Sequence, residues 1–141
     1  MKISTKGLYA VRFMVFLAGH VGTEPVPLKE IAEATSISRK YLEQIASSLA
    51  AAQLVRSARG ASGGYRLARS AMNITMLDVL TVTEGSLAPV SCLEGENTCP
   101  RADKCLSLPV WEKLDTLIND YLDSVSLADL LAEGGGNGCG I

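Results

Sequence analysis

A mainly α-helical fold with a small β wing, in which a winged helix-turn-helix domain is followed by a long dimerisation helix, is predicted by three features of the 141 residues. A short helix-sized segment, a tight break and an amphipathic helix follow one another across residues 27–53. A glycine-tipped hairpin follows at once, across residues 54–67. Near the C-terminus, a helix carries a wide apolar face after the winged domain is already complete. A hydrophobic content of 48% suits one compact domain plus an appendage.

The supporting helix starts at Pro27, pre-organised for a first turn, and puts Leu28, Ile31 and Ala32 on one side. After the break at Thr35-Ser36-Ile37, the Ser38 hydroxyl can cap a helix running from about Arg39 to Gln53. At about 100° per residue, Ser38, Tyr41, Leu42, Ile45, Ala46, Leu49 and Ala52 share one half of it, while Arg39, Lys40, Glu43, Gln44 and Ser47 share the other. One half packs and one half can read a DNA groove. Leu54–Ala58 and Gly64–Leu67 are two short strands, joined by Arg59-Gly60-Ala61-Ser62-Gly63. A phosphate-binding loop would need a helix after its glycines, and here a strand follows. Arg59 at the tip, with Arg56, Arg66 and Arg69 nearby, suits a narrow, electronegative minor groove.

Charge is unevenly distributed. Residues 1–69 hold ten Lys or Arg against four Asp or Glu, a net of +6, whereas residues 70–141 are at −8, although the whole chain is only −2. The basic half is the DNA half, and the acidic half is left for dimerisation or sensing.

Before the wing, Ser4 or Thr5 caps a helix to about Gly19, expected to turn Leu8, Val11, Met14, Val15 and Ala18 inward. Arg12 interrupts its apolar run, no small-residue cleavage site follows and nothing approaches 18 uncharged apolar residues, so the chain reads as cytoplasmic and without a membrane span. His20 falls at that helix's C-terminus, where the dipole favours it. After the wing, a Thr75-x-x-Asp78 capping box opens a core helix through about Glu84. The long helix starts at Ser107-Leu108-Pro109 and carries Val110, Leu114, Leu117 and Tyr121, with Trp111, Ile118 and Leu122 beside them. Ser126 and Asp129 box a last helix to Ala132, and Gly134 to Ile141 is expected to be a flexible tail. The chain thus divides into a winged domain (1–86), a cysteine-bearing sensor loop (87–105), the dimerisation and terminal helices (106–132) and a tail (133–141).

That loop places Cys92, Cys99 and Cys105 within fourteen polar, turn-rich residues. A disulfide is disfavoured in a cytosolic chain, which leaves a metal such as zinc, an iron–sulfur cluster or thiol redox sensing. Spacings of six and five residues fit neither zinc ribbons nor ferredoxins, and a fourth ligand is missing. No Ser/His/Asp set, HExxH or nucleotide loop points to an enzyme.

Lys6 to Val11, Val26-Pro27-Leu28, Tyr41-Leu42-Glu43-Gln44, Arg59-Gly60 through Gly63-Gly64-Tyr65, the three cysteines, and Cys105-Leu106 followed by Trp111 resemble the family of winged-helix repressors and activators that includes IscR, NsrR and CymR. The resemblance covers about residues 1–131 and implies a homodimer on a roughly palindromic double-stranded operator, with recognition helices in major grooves and wings in minor grooves. It implies that Ser38, Arg39, Lys40, Tyr41, Glu43, Gln44 and Arg59 occupy the DNA-contacting positions. It further implies that Cys92, Cys99 and Cys105 hold an iron–sulfur cluster, the two-iron form being preferred, whose state tunes DNA binding. The alternative is a regulator of the same family that uses these cysteines as a thiol redox switch or a zinc site, or that acts without a cofactor. The fourth ligand is unassigned, since Leu8 and Leu108 stand where relatives place theirs and one extra residue separates Cys92 from Cys99. Cys139 ranks slightly ahead of His20, Glu94, Glu96, Asp103 and an external thiol.

Overall fold

The computed structural model describes residues 2–20, 22–97 and 99–134, so Cys139 and the expected tail from residue 135 lie outside the described residues, while Glu133 and Gly134, expected in that tail, continue the last helix. The elements run α1 (Thr5–Gly19), α2 (Leu28–Thr35), α3 (Arg39–Ala51), β1 (Val55–Ala58), β2 (Gly64–Leu67), α4 (Met76–Glu84), α5 (Leu108–Ser124) and α6 (Leu127–Gly134). Single 3-10 turns at Ala71–Asn73, Ser91–Leu93 and Ala102–Lys104 punctuate the connections. The mainly helical fold with a small β wing is the one expected.

Helix α1 is the hub, in contact with α2, α3, α4, α6 and β2. Its buried residues are Gly7, Ala10, Phe13, Met14 and Leu17. The expected inward set was out of phase by one position: Leu8 is 56% exposed, and Val11, Val15 and Ala18 are only half-buried. An α1 that is apolar on almost every side gives a weak periodicity, and the small Gly7 and Ala10 decide which side its neighbours can approach.

Helix α3 splits as its pattern requires. Leu42, Ile45, Ala46 and Leu49 are fully buried and Tyr41 half-buried, whereas Arg39, Lys40, Glu43, Gln44 and Ser47 are exposed; Ser38 and Ala52, expected on the packing half, are exposed because they lie at the two caps beyond the packed turns. Helix α2 ends at Ser36 in left-handed backbone (φ 58°), and the buried Ile37 pins the turn before Ser38 caps α3. The helix stops at Ala51 rather than Gln53, because Gln53 turns to φ 61° and starts the wing.

The wing is an antiparallel pair with register Val55↔Leu67, Arg56↔Arg66, Ser57↔Tyr65 and Ala58↔Gly64. Val26 extends it: its N–H donates to Tyr65 O at 2.8 Å and its carbonyl accepts from Tyr65 N–H at 2.9 Å. The Tyr65 ring meets Phe13 edge to face at 6.0 Å, so the wing is tied to α1 as well.

Both capping boxes form. Asp78 N–H donates to Thr75 Oγ1 at 3.1 Å and Thr75 N–H to Asp78 Oδ2 at 2.9 Å. Ser126 and Asp129 repeat this at α6, and the Ser126 backbone N–H and hydroxyl hold the Asp129 carboxyl below its ordinary value. A carboxyl lowered in the folded state stabilises at neutral pH, and that help fades as pH falls through the lowered value. Helix α6 returns to the core through the fully buried Leu127, stitched by Leu127 N–H to Ile74 O at 2.9 Å and Met76 N–H to Val125 O at 2.8 Å. Helix α5 leans on α4 but has no buried residue, and Val110, Leu114, Leu117 and Tyr121 face outward.

Gly64 has φ 151°, and a Cβ there would run into the Val26 carbonyl and lie 2.7 Å from Pro27 N. Gly64→Ala is expected to push the wing off residue 26 and cost at least about 2 kcal/mol. Urea denaturation measures the loss, and accelerated exchange of the Tyr65 amide locates it.

Candidate nucleic-acid interface and cysteine loop

The start of α3 is built by Ser38, whose hydroxyl accepts from Tyr41 N–H at 3.2 Å. Arg39, Lys40, Glu43 and Gln44 then stand on the exposed half, none in an ion pair among the described residues. Tyr41 is half-buried, its ring meeting Tyr9 edge to face at 5.4 Å. Arg12 lies over the Tyr9 ring, 5.3 Å from its centroid, and donates to Thr35 O at 3.3 Å, so a tyrosine pair and one arginine hold α3 and the end of α2 on α1. Arg12 was read from the sequence only as a break in an apolar run. Its i+3 spacing from Tyr9 was the signal available.

Arg59 is exposed at the wing tip, and Arg56 and Arg66 are exposed on the strands behind it. Arg69 is different, since it pairs with Asp78 at 3.7 Å across two exposed side chains. The exposed polar half of α3 and the arginine-tipped wing are thus joined directly at Leu54, where Leu54 N–H donates to Leu49 O at 3.0 Å.

A family model described as Rrf2, iron-dependent transcriptional regulator, matches residues 3–133. The chain belongs to the Rrf2 family. It is 39% identical over 132 residues to the HTH-type transcriptional regulator IscR of Sodalis glossinidius (strain morsitans), covering 94% of this chain and 79% of that protein. IscR of Vibrio vulnificus (strain YJ016) is 38% identical over 133 residues, with the same coverages of 94% and 79%. Among solved structures, T. potens IscR superposes with a TM-score of 0.76 at 41% identity, covering 99% of this chain and 94% of that one. CymR (YrzC), titled the global cysteine regulator of B. subtilis, also gives 0.76 at 40% identity, covering 94% and 98%. Rrf2 membership makes this chain a winged-helix transcriptional regulator and not an enzyme. No described helix is long and apolar enough to cross a membrane.

In this Rrf2 chain the three cysteines are unpaired and lie outside the core. Cys92 sits half-buried in the Ser91–Leu93 turn, Cys99 is exposed with its N–H on Asn97 Oδ1 at 3.0 Å, and Cys105 ends the Ala102–Lys104 turn. Among the described residues no three His, Cys, Asp or Glu side chains are gathered as a metal site. Leu108, at the first position of α5, and the exposed Leu8 offer no ligand, and His20 caps α1 through its own N–H to Leu17 O at 3.2 Å. The donor set therefore suits a thiophilic metal in kind, three thiols on one polar loop, and needs the loop to close and a further ligand to complete the shell.

Ser107 is a partner the sequence reading passed over. Its hydroxyl lies 3.4 Å from Cys105 Sγ and, together with the Ser107 and Leu108 backbone N–H groups, holds that thiol below its ordinary value. More thiolate is then present at a given pH than in a free cysteine. In reduced, metal-free protein, Ser107→Ala is expected to move the pH profile of Cys105 alkylation to higher pH. Mass-resolved labelling with iodoacetamide reads it, and an unchanged profile means that the hydroxyl does not act on the thiol.

Proposed function

We propose that this protein is a cytoplasmic, homodimeric regulator that recognises a specific double-stranded operator with α3 and the wing, and whose DNA binding is modulated by an iron–sulfur cluster on Cys92, Cys99 and Cys105. The observation that carries the DNA reading is the exposed polar half of α3, unneutralised by ion pairs, beside an arginine-tipped wing on the basic half of the chain. Ser38 and Tyr41 set the helix, Arg39, Lys40, Glu43 and Gln44 face the major groove, and Arg59 enters the minor groove. Residues 1–86 form the DNA-binding domain, 87–105 the sensor loop, 106–132 the dimer-forming part and 133–141 a tail. Dimerisation is supported by the outward stripe of α5, where Val110 is 59% and Tyr121 68% exposed, continuous with an apolar depression of about 370 Å³ bounded by Leu8, Val11, Met76, Leu80 and Ile118.

The cluster reading rests on the donor set: thiolate is the ligand such clusters prefer, and these thiols are outside the core and free of disulfides. The two-iron form is preferred, with the fourth ligand supplied from outside the loop. Bound there, the cluster would supply a redox- and iron-responsive link between loop conformation and DNA binding. A thiol switch without metal is the second reading, favoured by the Ser107 hydroxyl that lies against Cys105 Sγ and lowers its thiol.

Arg59→Ala is expected to weaken binding about tenfold or more, chiefly at AT-rich minor-groove positions, and Glu43→Ala to relax base choice, each base discrimination being worth about 1–3 kcal/mol. Gel shifts on its own promoter and on base-substituted duplexes test both. Unchanged affinity and specificity in both variants would overturn the assignment of helix and wing.

Protein purified without oxygen is expected to be brown, and Cys92→Ala, Cys99→Ala and Cys105→Ala are each expected to abolish the charge-transfer absorption, with Cys139→Ala having a smaller effect. A colourless protein after anaerobic reconstitution with iron and sulfide overturns the cluster reading and leaves the thiol-switch or zinc alternative. Sedimentation at micromolar concentration should give twice the chain mass.

A further inference from the structure

The hairpin register sets Arg56 directly opposite Arg66. Val55, Leu67, Ser57 and Tyr65 occupy the alternate positions, with Val55 buried and Tyr65 packed on Phe13, so both arginines stand on the outer face of the wing, and both are exposed. Directly opposed residues hold their Cβ atoms about 4.5–5.5 Å apart, and like charges placed so destabilise a two-stranded ribbon. Nothing in the hairpin offsets this. Residues 54–69 contain four arginines and no Asp or Glu, and the salt bridge among the described residues takes Arg69 to Asp78 and reaches neither Arg56 nor Arg66. The remaining outer-face pair, Ala58 and Gly64, is too small to shield the guanidinium groups or separate them.

We propose that the Arg56–Arg66 pair is a phosphate clamp, gripping the DNA backbone beside the minor groove that the wing tip enters. A doubly charged, cross-strand fork is unfavourable in the free protein and complementary to an anion that accepts two guanidinium groups at once. Phosphate contacts of this kind set register and carry no sequence information. The clamp therefore adds affinity on every sequence, whereas Glu43 and Gln44 discriminate among them. This inference rests on the proposed DNA-binding function and deepens it, by assigning the two strand arginines a role separate from that of Arg59.

The free and bound states give opposite signs, and a structural role would not. Removing one charge relieves the repulsion, so Arg56→Gln and Arg66→Gln are each expected to raise the thermal midpoint of the free protein by roughly 1–3 °C at low salt, with the gain shrinking at high salt. Arg56→Glu, which makes an opposite-charge pair, should raise it further. Each Gln variant is expected to lower affinity about tenfold at 0.1 M salt, equally for a promoter duplex and a random duplex of the same length, and to reduce the slope of log K against log salt by about 1. Arg66→Lys should retain the slope. Fluorescence anisotropy over a salt series with the full-length chain, on both duplexes, reads affinity and slope, and thermal denaturation of the free chain at low and high salt reads the midpoints. Wild-type slope and affinity in both Gln variants would overturn the clamp. So would a loss of binding confined to the promoter duplex, which would mean base contact, or a lowered thermal midpoint, which would mean that the arginines support the fold. Failure of the wild-type chain to bind either duplex would instead overturn the DNA-binding reading itself.

Discussion

The fold hangs on the N-terminal end of α1, where one carboxylate from the far end of the domain completes the cap. Ser4 caps the helix in the ordinary way, its hydroxyl accepting from Gly7 N–H at 3.0 Å. Glu84 Oε1, at the last position of α4, in turn accepts from Ser4 N–H at 3.2 Å, from the Ser4 hydroxyl at 2.5 Å and from the Thr83 hydroxyl at 3.3 Å. A negative charge at a helix N-terminus is favoured by the peptide dipoles, and hydrogen bonds to an ionised acceptor are the stronger kind. The arrangement requires Gly7, because a Cβ at that position would run into the carboxylate. Since α1 also carries α2, α3, α6 and β2, fixing its first turn against α4 fixes the frame from which the exposed half of α3 and the wing project.

That frame separates two tasks that compete in most small domains. The packing half of α3 is filled by Leu42, Ile45, Ala46 and Leu49 at or near zero exposure, so the other half need contribute nothing to the core. It is then free to carry groups that are poor for the isolated protein, such as cations without partners. The same applies to the wing, which is held by Val26 and Phe13 on one face and can leave arginines opposed on the other. Self-repulsion in a basic half of net +6 is a cost that an anionic partner removes.

Much of this was legible in the chain because it is local. The Thr75/Asp78 and Ser126/Asp129 boxes, the Ser38 cap, the glycine-tipped hairpin and the two halves of α3 between its caps all depend on residues within a few positions of each other, and the structure contains each of them. What escaped was long-range or marginal in its pattern. The Ser4–Glu84 contact joins residues 80 apart, and neither residue type is unusual where it stands. The phase of α1 could not be taken from hydrophobicity when nearly all of its positions are apolar. The return of α6 to the core through Leu127 was hidden because a short amphipathic helix at a C-terminus carries no mark of what it packs against. The opposed arginines were visible as a basic hairpin, but only the register set them face to face.

The cysteine loop follows the opposite logic. Among the described residues between the end of α4 and the start of α5, Leu87 is buried and Ala88, Pro89, Val90 and Leu93 are half-buried, and the rest is held by single 3-10 turns and hydrogen bonds such as Cys99 N–H to Asn97 Oδ1. Fixing a backbone costs about 1–2 kcal/mol per residue, and this loop has little apolar burial to offset it. Any ligand held by several of the cysteines would stabilise the conformation that gathers them. The loop's two ends are not free, however. One follows Glu84, which is engaged with the first turn of α1, and the other runs into α5, which leans on α4 while exposing its apolar stripe. On the proposed sensing function, a change in the loop would act through these two ends, on the first turn of α1 by way of Glu84 and on α5 by way of its start.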